Sequence, residues 1–296
     1  MSTLRTRLEE GGVVAPGAHD ALTAVLARRA GFSTIYVSGF AFEATQLGAP
    51  DMAIATMTEL STHVSHMVAA AGVDAICDVD TGFGGPNSLH RTVREFERAG
   101  AAAIQIEDQT EPKRCPFLGG RQVLDRTTAA ARIRIASEAR QSNDMLIIAR
   151  TDADEISTEE VVERCRLFAA AGADLVLPMV RNLDGRPITD RTPMERMRIY
   201  EDLVERIGHP VVTLDPPPGH TAQDLFNIGV SLVVMPLASL EAVTTAAADY
   251  FDSLRDTGSS EAYASASPPR LAANLDLMNA LGLEKYLERD EVMSRG

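Results

Sequence analysis

Short apolar runs alternate with amphipathic helical segments along most of this chain. Eight of the runs are about 4–8 residues long, rich in Val, Ile or Leu, and end at polar residues, as strands buried on both faces do. The predicted strands cover residues 13–16, 34–38, 75–80, 103–108, 145–152, 175–180, 211–215 and 232–237. The predicted helices cover residues 21–30, 59–71, 88–99, 127–141, 157–171 and 194–207. Several of these helices end at glycine, which supplies the left-handed cap that closes a helix.

This alternation predicts an α/β fold of the (β/α)8 TIM barrel type. Eight strand–helix units in about 250 residues are the usual content of such a barrel. An open doubly wound sheet has the same periodicity and is the competing interpretation. Polar residues that follow the strands, such as Ser38, Asp80 and Asp152, favour the barrel, because its chemistry gathers at the carboxyl ends of the strands.

The chain beyond the barrel is expected to form a C-terminal extension. We expect residues 1–256 to form the barrel and residues 257–296 to form a linker and a helical extension. Residues 257–269 are small and polar and end in two prolines, which is typical of a linker. Residues 270–289 have an amphipathic pattern with Leu275, Met278 and Leu287 on the apolar side. We expect a neighbouring subunit to cover that side, with the helix swapped between subunits.

Composition and charge narrow the classes of function. Of 296 residues, 45% are apolar and 24% are charged, and the net charge is -14. This charge would repel nucleic acid, whereas a pocket can still attract a small anionic substrate. The N-terminus does not resemble a signal peptide, and no apolar run approaches the roughly 20 residues of a membrane span, so we expect a cytoplasmic protein with no membrane partner. Three cysteines with no CxxC pair argue against a disulfide framework and a structural zinc site.

Three carboxylates follow two neighbouring predicted strands. Asp78 and Asp80 are two residues apart, so their side chains are expected to point the same way, and Glu107 ends the next strand. Carboxylates held together repel each other unless a cation or a proton lies between them. Oxygen ligands of this kind suit Mg2+, so the pattern predicts a metal site. The alternative is a set of solvated loop carboxylates, or ion pairs with Arg91 or Arg114.

The loop after the fourth predicted strand carries Lys113, Arg114 and Cys115. Adjacent cations favour a thiolate, so they are expected to lower the Cys115 pKa and to make this cysteine an acid or base near neutrality. Cys77 lies inside a predicted strand and Cys165 inside a predicted helix, and both are expected to be buried.

Two further strand ends carry groups that bind anions. Arg150 ends the fifth strand, where its guanidinium can bind a carboxylate with two hydrogen bonds or form an ion pair with Asp152 or Glu107. Ser38 and Gly39 follow the second strand, where a hydroxyl and bare backbone N–H groups can hold an anion.

Other chemistries find little support in the sequence. The TGFGG turn at residues 81–85 has neither of the glycine patterns that bind nucleotides. His63 and His66 share one helix face but have no evident third metal ligand. The sequence also has no GxSxG segment, so a serine hydrolase is unsupported.

Together these residues resemble the isocitrate lyase/phosphoenolpyruvate mutase superfamily, in particular its short methylisocitrate lyase-like branch. The matching segments are VSGF (37–40), LGAPD (47–51), DVDTGFGG (78–85), IEDQTEPKRC (106–115), IIARTDA (147–153) and MPL (235–237). The resemblance implies a (β/α)8 barrel whose last helix is exchanged between subunits, usually in a homotetramer of paired dimers. It also implies Mg2+, with Mn2+ as an alternative ion, and a 2-oxo or 2-hydroxy acid bound at the metal.

By position, the resemblance implies a role for each matching residue. The metal shell would be formed by Asp78, Asp80 and Glu107, and Asp51 would be a pocket carboxylate. The other substrate-binding positions are Ser38, Gly39, Arg114 and Arg150. Lys113 and Cys115 would lie on a gating loop and act in catalysis together with Arg150. In the lyases this cysteine is the acid/base partner of the cleavage, whereas the mutases carry asparagine, so Cys115 favours chemistry on a C–C bond.

The chain departs from the family pattern where the substrate's distal part would be bound. Pro116 and Phe117 replace the glycine and histidine that follow the cysteine in the lyases. Met179 stands where a glutamate is expected after the sixth strand, and Leu214 stands near the position of an expected asparagine after the seventh. A methyl-branched tricarboxylate would lose partners here, so we expect a less polar or differently charged distal group.

The expected function is that of a Mg2+-dependent C–C lyase. It would cleave a 2-hydroxy di- or tricarboxylate of the methylisocitrate or dimethylmalate type to a 2-oxo acid and a second carboxylic acid. Oxaloacetate-type decarboxylation or hydrolysis and phosphonate C–P chemistry are alternatives within the superfamily. A barrel that binds a 2-oxo acid without turnover is an alternative from another class, since Met179 and Leu214 remove usual active-site groups. A homo-oligomer, either a dimer or a tetramer, is expected.

Overall fold

The computed structural model of the protein describes residues 3–266 and 274–294. Its strands are β1 (Val13–Pro16), β2 (Thr34–Val37), β3 (Asp74–Asp78), β4 (Ala101–Glu107), β5 (Leu146–Thr151), β6 (Leu175–Pro178), β7 (Asn182–Leu183), β8 (Arg186–Pro187), β9 (Val212–Thr213) and β10 (Leu232–Met235). Its helices are α1 (Leu4–Glu10), α2 (Ala21–Arg29), α3 (Gly39–Phe42), α4 (Met57–Ala71), α5 (Pro86–Arg98), α6 (Arg126–Ala139), α7 (Thr158–Ala170), α8 (Pro193–Ile207), α9 (Ala222–Asn227), α10 (Ala238–Thr257), α11 (Glu261–Ala266), α12 (Asn274–Ala280) and α13 (Leu283–Ser294). Short 3-10 turns cover Ala153–Glu155 and Ile188–Asp190, and a π-helical turn covers Glu43–Leu47.

The strands of the two main sheets are all parallel. One sheet has the order β2-β3-β4-β5-β6 and the other has the order β1-β10-β9, while β7 and β8 form a separate antiparallel pair. Two single parallel bridges, Gly17 with Tyr36 and Val176 with Val211, connect β1 to β2 and β6 to the segment that enters β9. The predicted α/β fold of parallel strands is confirmed, and the carboxyl ends of neighbouring strands lie along one edge.

Alternate residues of the strands enter two different apolar cores. Ile35 and Cys77 pack in the larger core, which also contains apolar residues of the helices. Tyr36 and Ile76 point to the opposite face and join a smaller core with Leu4 of α1. Side chains alternate between the faces of a strand, so strands covered on both faces read as continuous apolar runs.

Helix ends follow the rules that the sequence suggested. Thr56 and Thr192 cap the N-termini of α4 and α8, each through reciprocal hydrogen bonds with a glutamate three residues later. Gly72 and Gly208 end the same two helices with φ angles of +60° and +64°, a conformation that glycine adopts without strain. These local signals fix the lengths of the helices that separate the strands.

The chain forms two compact units, residues 1–239 and 240–296. The boundary lies near the start of α10, whereas the apolar pattern predicted the end of the barrel at residue 256. The described residues of the second unit include most of α10 and the helices α11, α12 and α13. On α10 no residue is buried, and Phe251 is 65% exposed.

Two predictions for the C-terminal extension are wrong in part. The predicted linker at 257–269 contains the helix α11, and its residues 267–269 lie outside the described residues. The single helix predicted at 270–289 is two helices, α12 and α13, because Gly282 at φ +88° interrupts it. Residues 270–273 of that prediction lie outside the described residues.

Candidate active site

Three carboxylates converge at the carboxyl ends of β3 and β4. Asp78, Asp80 and Glu107 each place one oxygen within 4.8 Å of the others. All three side chains are buried. Asp80 has a φ of +50°, a left-handed conformation that aspartate tolerates better than most residues, and its N–H donates to Asp78 Oδ1 at 3.2 Å. The backbone therefore turns immediately after β3 in a way that keeps both aspartates in one cluster.

The electrostatics of this acidic cluster fit a divalent cation. Burial raises the pKa of Asp78 and Glu107 and raises the pKa of Asp80 to about 7, although the charges of Arg150 and Lys113 oppose these shifts. Glu107 Oε1 is buried and has no hydrogen-bond partner within the described part of the chain. A buried carboxylate oxygen without a partner is costly unless a cation approaches it. Three converging carboxylates are also the donor set that Mg2+ prefers.

The alternative partners considered for these aspartates lie elsewhere. Arg91 forms a 3.8 Å ion pair with Glu95 on its own helix. The Arg114 guanidinium donates to the carbonyl of Gly119 at 3.0 Å, within its own loop. Arg114 is exposed and is the one predicted substrate-binding residue that the described contacts do not connect to the cluster.

Lys113 connects the loop after β4 to the acidic cluster. Its Nζ lies 2.5 Å from Asp51 Oδ1 and 2.8 Å from Asp80 Oδ1, and its side chain is 6% exposed. Burial alone would lower the pKa of Lys113, but the charges of Asp80, Glu107 and Asp78 hold it above its ordinary value. Lys113 is therefore a fixed positive charge, shared between the predicted metal site and the predicted pocket carboxylate.

Asp51 lies in a loop that a buried glutamate holds in place. Glu43 is the first residue of the π-helical turn. Its carboxylate accepts hydrogen bonds from the N–H groups of Met52, Ile54 and Ala55 at 2.8, 2.5 and 2.9 Å. Glu43 is 2% exposed. Glu43 was not identified from the sequence. Its one signal was an acidic residue directly after the apolar segment GFAF at residues 39–42.

Cys115 is a buried, protonated thiol rather than a thiolate. Burial and a hydrogen bond with Asp51 raise its pKa to about 11, and the opposing effect of Lys113 is smaller. The prediction that adjacent cations lower the Cys115 pKa is therefore wrong, because Lys113 is paired with two carboxylates and Arg114 points to Gly119. A thiol with a raised pKa keeps its proton at neutral pH and can donate it.

The other two cysteines are buried, as predicted. Cys77 lies in β3 and Cys165 in α7, and both are 0% exposed. Burial raises the pKa of each thiol. Both therefore act as small apolar residues of the core.

Arg150 lies at the end of β5 and is already paired. Its Nε and Nη2 donate to the two oxygens of Asp152 at 2.9 and 2.8 Å, and Nη1 lies 3.2 Å from Glu107 Oε2. This is the ion-pair arrangement that the sequence left open as the alternative. Arg121, which the sequence analysis missed, also pairs with Asp152 at 2.7 Å. Burial would raise the pKa of Asp152, but Arg150 and Arg121 lower it below its ordinary value.

Ser38 and Gly39 lie beside the cluster, at the start of α3. The Ser38 hydroxyl accepts the N–H of Ala41 at 3.4 Å and caps this short helix. A Cβ atom on Gly39 would lie 3.6 Å from Asp80 Oδ1, so the bare backbone of Gly39 is adjacent to the acidic cluster. The structure thus brings together the predicted residues Gly39, Asp51, Asp78, Asp80, Glu107, Lys113, Cys115 and Arg150, and Ser38 directly precedes Gly39 in the chain.

The positions that depart from the family pattern meet at a second place, here called the distal pocket. This cavity of about 160 Å3 is lined by Met179, Arg181, Arg196, Tyr200 and Leu214, among others. It lies just after the ends of β6 and β9. Phe117 of the gating loop reaches it by stacking on Arg181, whose Cζ lies 4.5 Å from the ring centre. Arg181 was also missed, since nothing local marks it.

His63, one of the two histidines that share a helix face, contacts a backbone carbonyl and an aromatic ring. His63 Nε2 lies 2.9 Å from the carbonyl oxygen of His19, and its ring packs edge-on against Phe42. Across residues 3–266 and 274–294, the group of potential metal ligands that converges is the acidic cluster. In those same two ranges, no helix has the length and apolar character required to cross a membrane.

The chain is similar in sequence and in fold to known enzymes. The chain belongs to the phosphoenolpyruvate phosphomutase family, whose model matches residues 4–255, within the superfamily that the sequence resembles. It is 36% identical over 245 residues to 2,3-dimethylmalate lyase of Eubacterium barkeri, covering 82% of each chain. It is 33% identical to 2-methylisocitrate lyase of Aeropyrum pernix, covering 96% of this chain and 87% of the relative. A solved structure of oxaloacetate acetylhydrolase with 3,3-difluorooxalacetate matches with a TM-score of 0.86 at 29% identity, covering 99% of this chain and 96% of the other.

Proposed function

We propose that this protein is a Mg2+-dependent carbon–carbon lyase. Its substrate would be a 2-hydroxy dicarboxylate or tricarboxylate related to dimethylmalate or methylisocitrate, and its products a 2-oxo acid and a second carboxylic acid. The observation that carries the proposal is the arrangement of the acidic cluster, Lys113, Asp51 and Cys115 in one continuous set of contacts. The lyases among its relatives support the same reaction class.

Asp78, Asp80 and Glu107 would hold the metal, either Mg2+ or Mn2+. Once bound, such an ion acts as a Lewis acid toward the oxygen of a 2-hydroxy or 2-oxo acid. The unpartnered Glu107 Oε1 supports this assignment, because it is a buried acceptor aimed at no other group in residues 3–266 and 274–294. Gly39 next to Asp80 leaves room for a substrate carboxylate beside the cluster.

Cleavage requires one proton to leave the substrate and another to arrive. The 2-hydroxyl gives its proton to solvent, from which Cys115 later regains the one it donates, and becomes the carbonyl of the 2-oxo acid, while the C2–C3 bond breaks and its electron pair passes to C3. The carboxylate attached to C3 delocalises that pair. Cys115, protonated at neutral pH, then donates its proton to C3 and completes the second product. Lys113 contributes a fixed positive charge beside the site where the hydroxyl becomes anionic.

The fold and assembly proposed here are those of a closed (β/α)8 barrel in a homo-oligomer. The two single bridges at the ends of the main sheets support the closed barrel. Exposed apolar residues on the C-terminal helices, including Phe251, Leu275, Tyr286 and Leu287, support an exchange of these helices between subunits. Sedimentation velocity tests the assembly. A dimer or tetramer is expected, and a monomer at micromolar concentration would contradict it.

A substrate panel tests the proposed function. Purified protein with Mg2+ is incubated with 2,3-dimethylmalate, 2-methylisocitrate, oxaloacetate and phosphonopyruvate, and release of a 2-oxo acid is followed with a coupled dehydrogenase. Turnover of a 2-hydroxy acid that EDTA abolishes is expected. Turnover of oxaloacetate or phosphonopyruvate alone would favour the hydrolase or C–P alternatives. Tight oxalate binding with no turnover of any compound would favour a non-catalytic binding protein.

A further inference from the structure

The distal pocket adjoins the part of the site formed by the acidic cluster, Lys113 and Arg150, here called the metal end. Its wall includes Met179 and Leu214, and the N–H of Met179 donates to the carbonyl of Thr151 at 3.0 Å. Thr151 directly follows Arg150, which contacts Glu107 of the acidic cluster. A substrate held at the cluster would therefore extend its far end toward this cavity.

Two arginines line the pocket, and they are held differently. Arg196 Nε donates to the carbonyl of Arg191 at 3.1 Å, and its Nη2 donates to that of Thr189 at 3.3 Å. Arg181 Nε, in contrast, is buried and has no hydrogen-bond partner among the described residues. A buried donor of this kind is destabilising until an acceptor reaches it. Arg181 thus has a buried donor that no described residue satisfies.

The Phe117 ring packs against one face of the Arg181 guanidinium. The ring lies 4.5 Å from Arg181 Cζ, a cation–π contact that covers one face of the guanidinium. The N–H groups of a guanidinium point outward in its plane, so a ring on its face does not block them. Phe117 is two residues after Cys115, so this contact also ties the gating loop to the distal pocket.

From these contacts we infer that Arg181 is the specificity-determining residue of the distal pocket and binds the second carboxylate of the substrate, with Phe117 holding its guanidinium in place. The inference rests on the proposed lyase function and narrows its substrate class. Met179 and Leu214 offer no donor to a third carboxylate, and the wall also contains the acidic Asp215, with Arg196 and Tyr200 as its other polar side chains. The substrate class is therefore a 2-hydroxy dicarboxylate with apolar branches.

The same contact has a consequence for the reaction. In the proposed cleavage, the electron pair of the C2–C3 bond is delocalised into the carboxylate on C3. That carboxylate is the one assigned to Arg181. Because charge grows on it during cleavage, the guanidinium would bind the transition state more strongly than the ground state.

Ligand binding to matched compounds tests the role of Arg181. Calorimetry of the full chain with Mg2+ compares 2-methylmalate with its C4 amide, which is neutral at the distal end, and uses oxalate as a probe of the metal end. The wild-type protein is expected to prefer the diacid by about 10- to 100-fold, the range for a hydrogen bond to a charged group. In Arg181→Met this preference should fall to less than about threefold with oxalate affinity unchanged. Arg181→Lys should be intermediate, because lysine keeps the charge but lacks the planar fork.

Three further variants serve as controls. Arg198→Met removes an exposed arginine of α8 outside the pocket and should change neither affinity. Arg196→Met should preserve the preference for the diacid, and a loss there with Arg181→Met unaffected would overturn the assignment. Phe117→Leu should weaken the preference by about twofold to fivefold, in line with the loss of a cation–π contact.

The inference fails if Arg181→Met is folded and keeps the diacid preference. It also fails if Arg181→Met weakens oxalate to the same extent, because Arg181 would then act only by latching the loop. Since binding is measured rather than turnover, a protein that binds diacids selectively without cleaving them would refute the lyase function and leave the role of Arg181 supported.

Discussion

At the metal end of the candidate active site the charged groups are tightly paired with one another, whereas the distal pocket is largely apolar and keeps one arginine donor unused. Lys113 bridges Asp51 and Asp80, and Arg150 bridges Glu107 and Asp152. In the distal pocket, Met179 and Leu214 stand beside Arg181, whose Nε has no partner in residues 3–266 and 274–294. In the proposed function, the metal end would carry out the reaction and the distal pocket would select the substrate.

The two ends also differ in how closely they resemble the family pattern. Most of the motifs on which the resemblance rests lie around the acidic cluster, where the charged side chains are paired with one another. Replacing Lys113 or Arg150 would take an ion-pair partner from two buried carboxylates, which is strongly destabilising. The departures Phe117, Met179 and Leu214 lie around the distal pocket, where an apolar side chain can replace a polar one without stranding a charge. The two ends can therefore vary independently.

The largest expected effect is at the acidic cluster. Asp78→Asn should lower kcat/KM by about 10³-fold, because it removes a ligand of an ion that supplies several kcal/mol of transition-state stabilisation. Without metal, the Asp78→Asn variant should be at least as stable to heat as the wild type. Burial raises the pKa of Asp78, and replacing the carboxylate by an amide avoids a buried charge. Steady-state kinetics with Mg2+ measure the first effect, and thermal melts in EDTA measure the second. The surface variant Asp144→Asn is the control for both. A variant that keeps full activity would show that Asp78 is not a metal ligand.

The next effect concerns the proton donor. Cys115→Ser should lower kcat by about 10²-fold, because a hydroxyl is a weaker acid than a thiol, while oxalate binding in Mg2+ stays unchanged. Steady-state kinetics and calorimetry measure the two quantities. Cys165→Ala, which changes a buried thiol in α7, should retain activity in the folded protein. Full lyase activity in Cys115→Ser would remove the acid role of this cysteine.

A smaller effect is expected for the residue that positions the Asp51 loop. Glu43→Gln replaces a carboxylate that accepts three N–H groups by an amide with one acceptor oxygen, so about 1–3 kcal/mol of stability should be lost. Since Asp51 contacts Lys113 and Cys115, kcat should also fall by about tenfold, or roughly 1.4 kcal/mol in the barrier. Urea unfolding and kinetics measure these changes, and Glu59→Gln on the exposed start of α4 is the matched control. Equal kcat in Glu43→Gln and wild type would show that the loop does not need this anchor.

The smallest effect is the pH dependence of Cys115 alkylation. An ordinary cysteine with a pKa of about 8.5 is half ionised at that pH, so its rate of reaction with iodoacetamide levels off by about pH 10. The pKa of Cys115 is raised to about 11, so its alkylation rate should still rise by about tenfold between pH 9 and pH 10. Mass spectrometry of the peptide that contains Cys115 measures the rate. A rate that levels off by about pH 10 would mean that the loop opens or that the pKa of the thiol is not raised.

The sequence predicted the fold more completely than it predicted the site. The strands and helices were found because each has its own local signal, an apolar run or a capped amphipathic stretch. Asp78, Asp80 and Glu107 were found because strand ends and the period of two place them together without any knowledge of distant residues. The C-terminal helices were predicted less well, because Gly282 divides a pattern that the apolar residues alone made continuous.

The features that the sequence could not give depend on contacts between distant positions. The Cys115 pKa was predicted in the wrong direction because its two main causes, burial and a hydrogen bond with Asp51, are not visible among the residues adjacent in sequence. Glu43, Arg121 and Arg181 were missed because nothing beside them in the sequence shows what they contact. Burial and long-range pairing decide the state of these groups, and both follow only from the fold.

C–C cleavage at the metal end, with Cys115 as the proton donor, can be followed by NMR of the products formed from a 2-hydroxy dicarboxylate such as 2,3-dimethylmalate in D2O with Mg2+. We expect equal amounts of a 2-oxo acid and a second carboxylic acid that carries one deuterium on the carbon next to its carboxylate, with no reaction in EDTA. Formation of both products in EDTA, or failure to cleave any 2-hydroxy dicarboxylate while oxalate still binds, would contradict this mechanism.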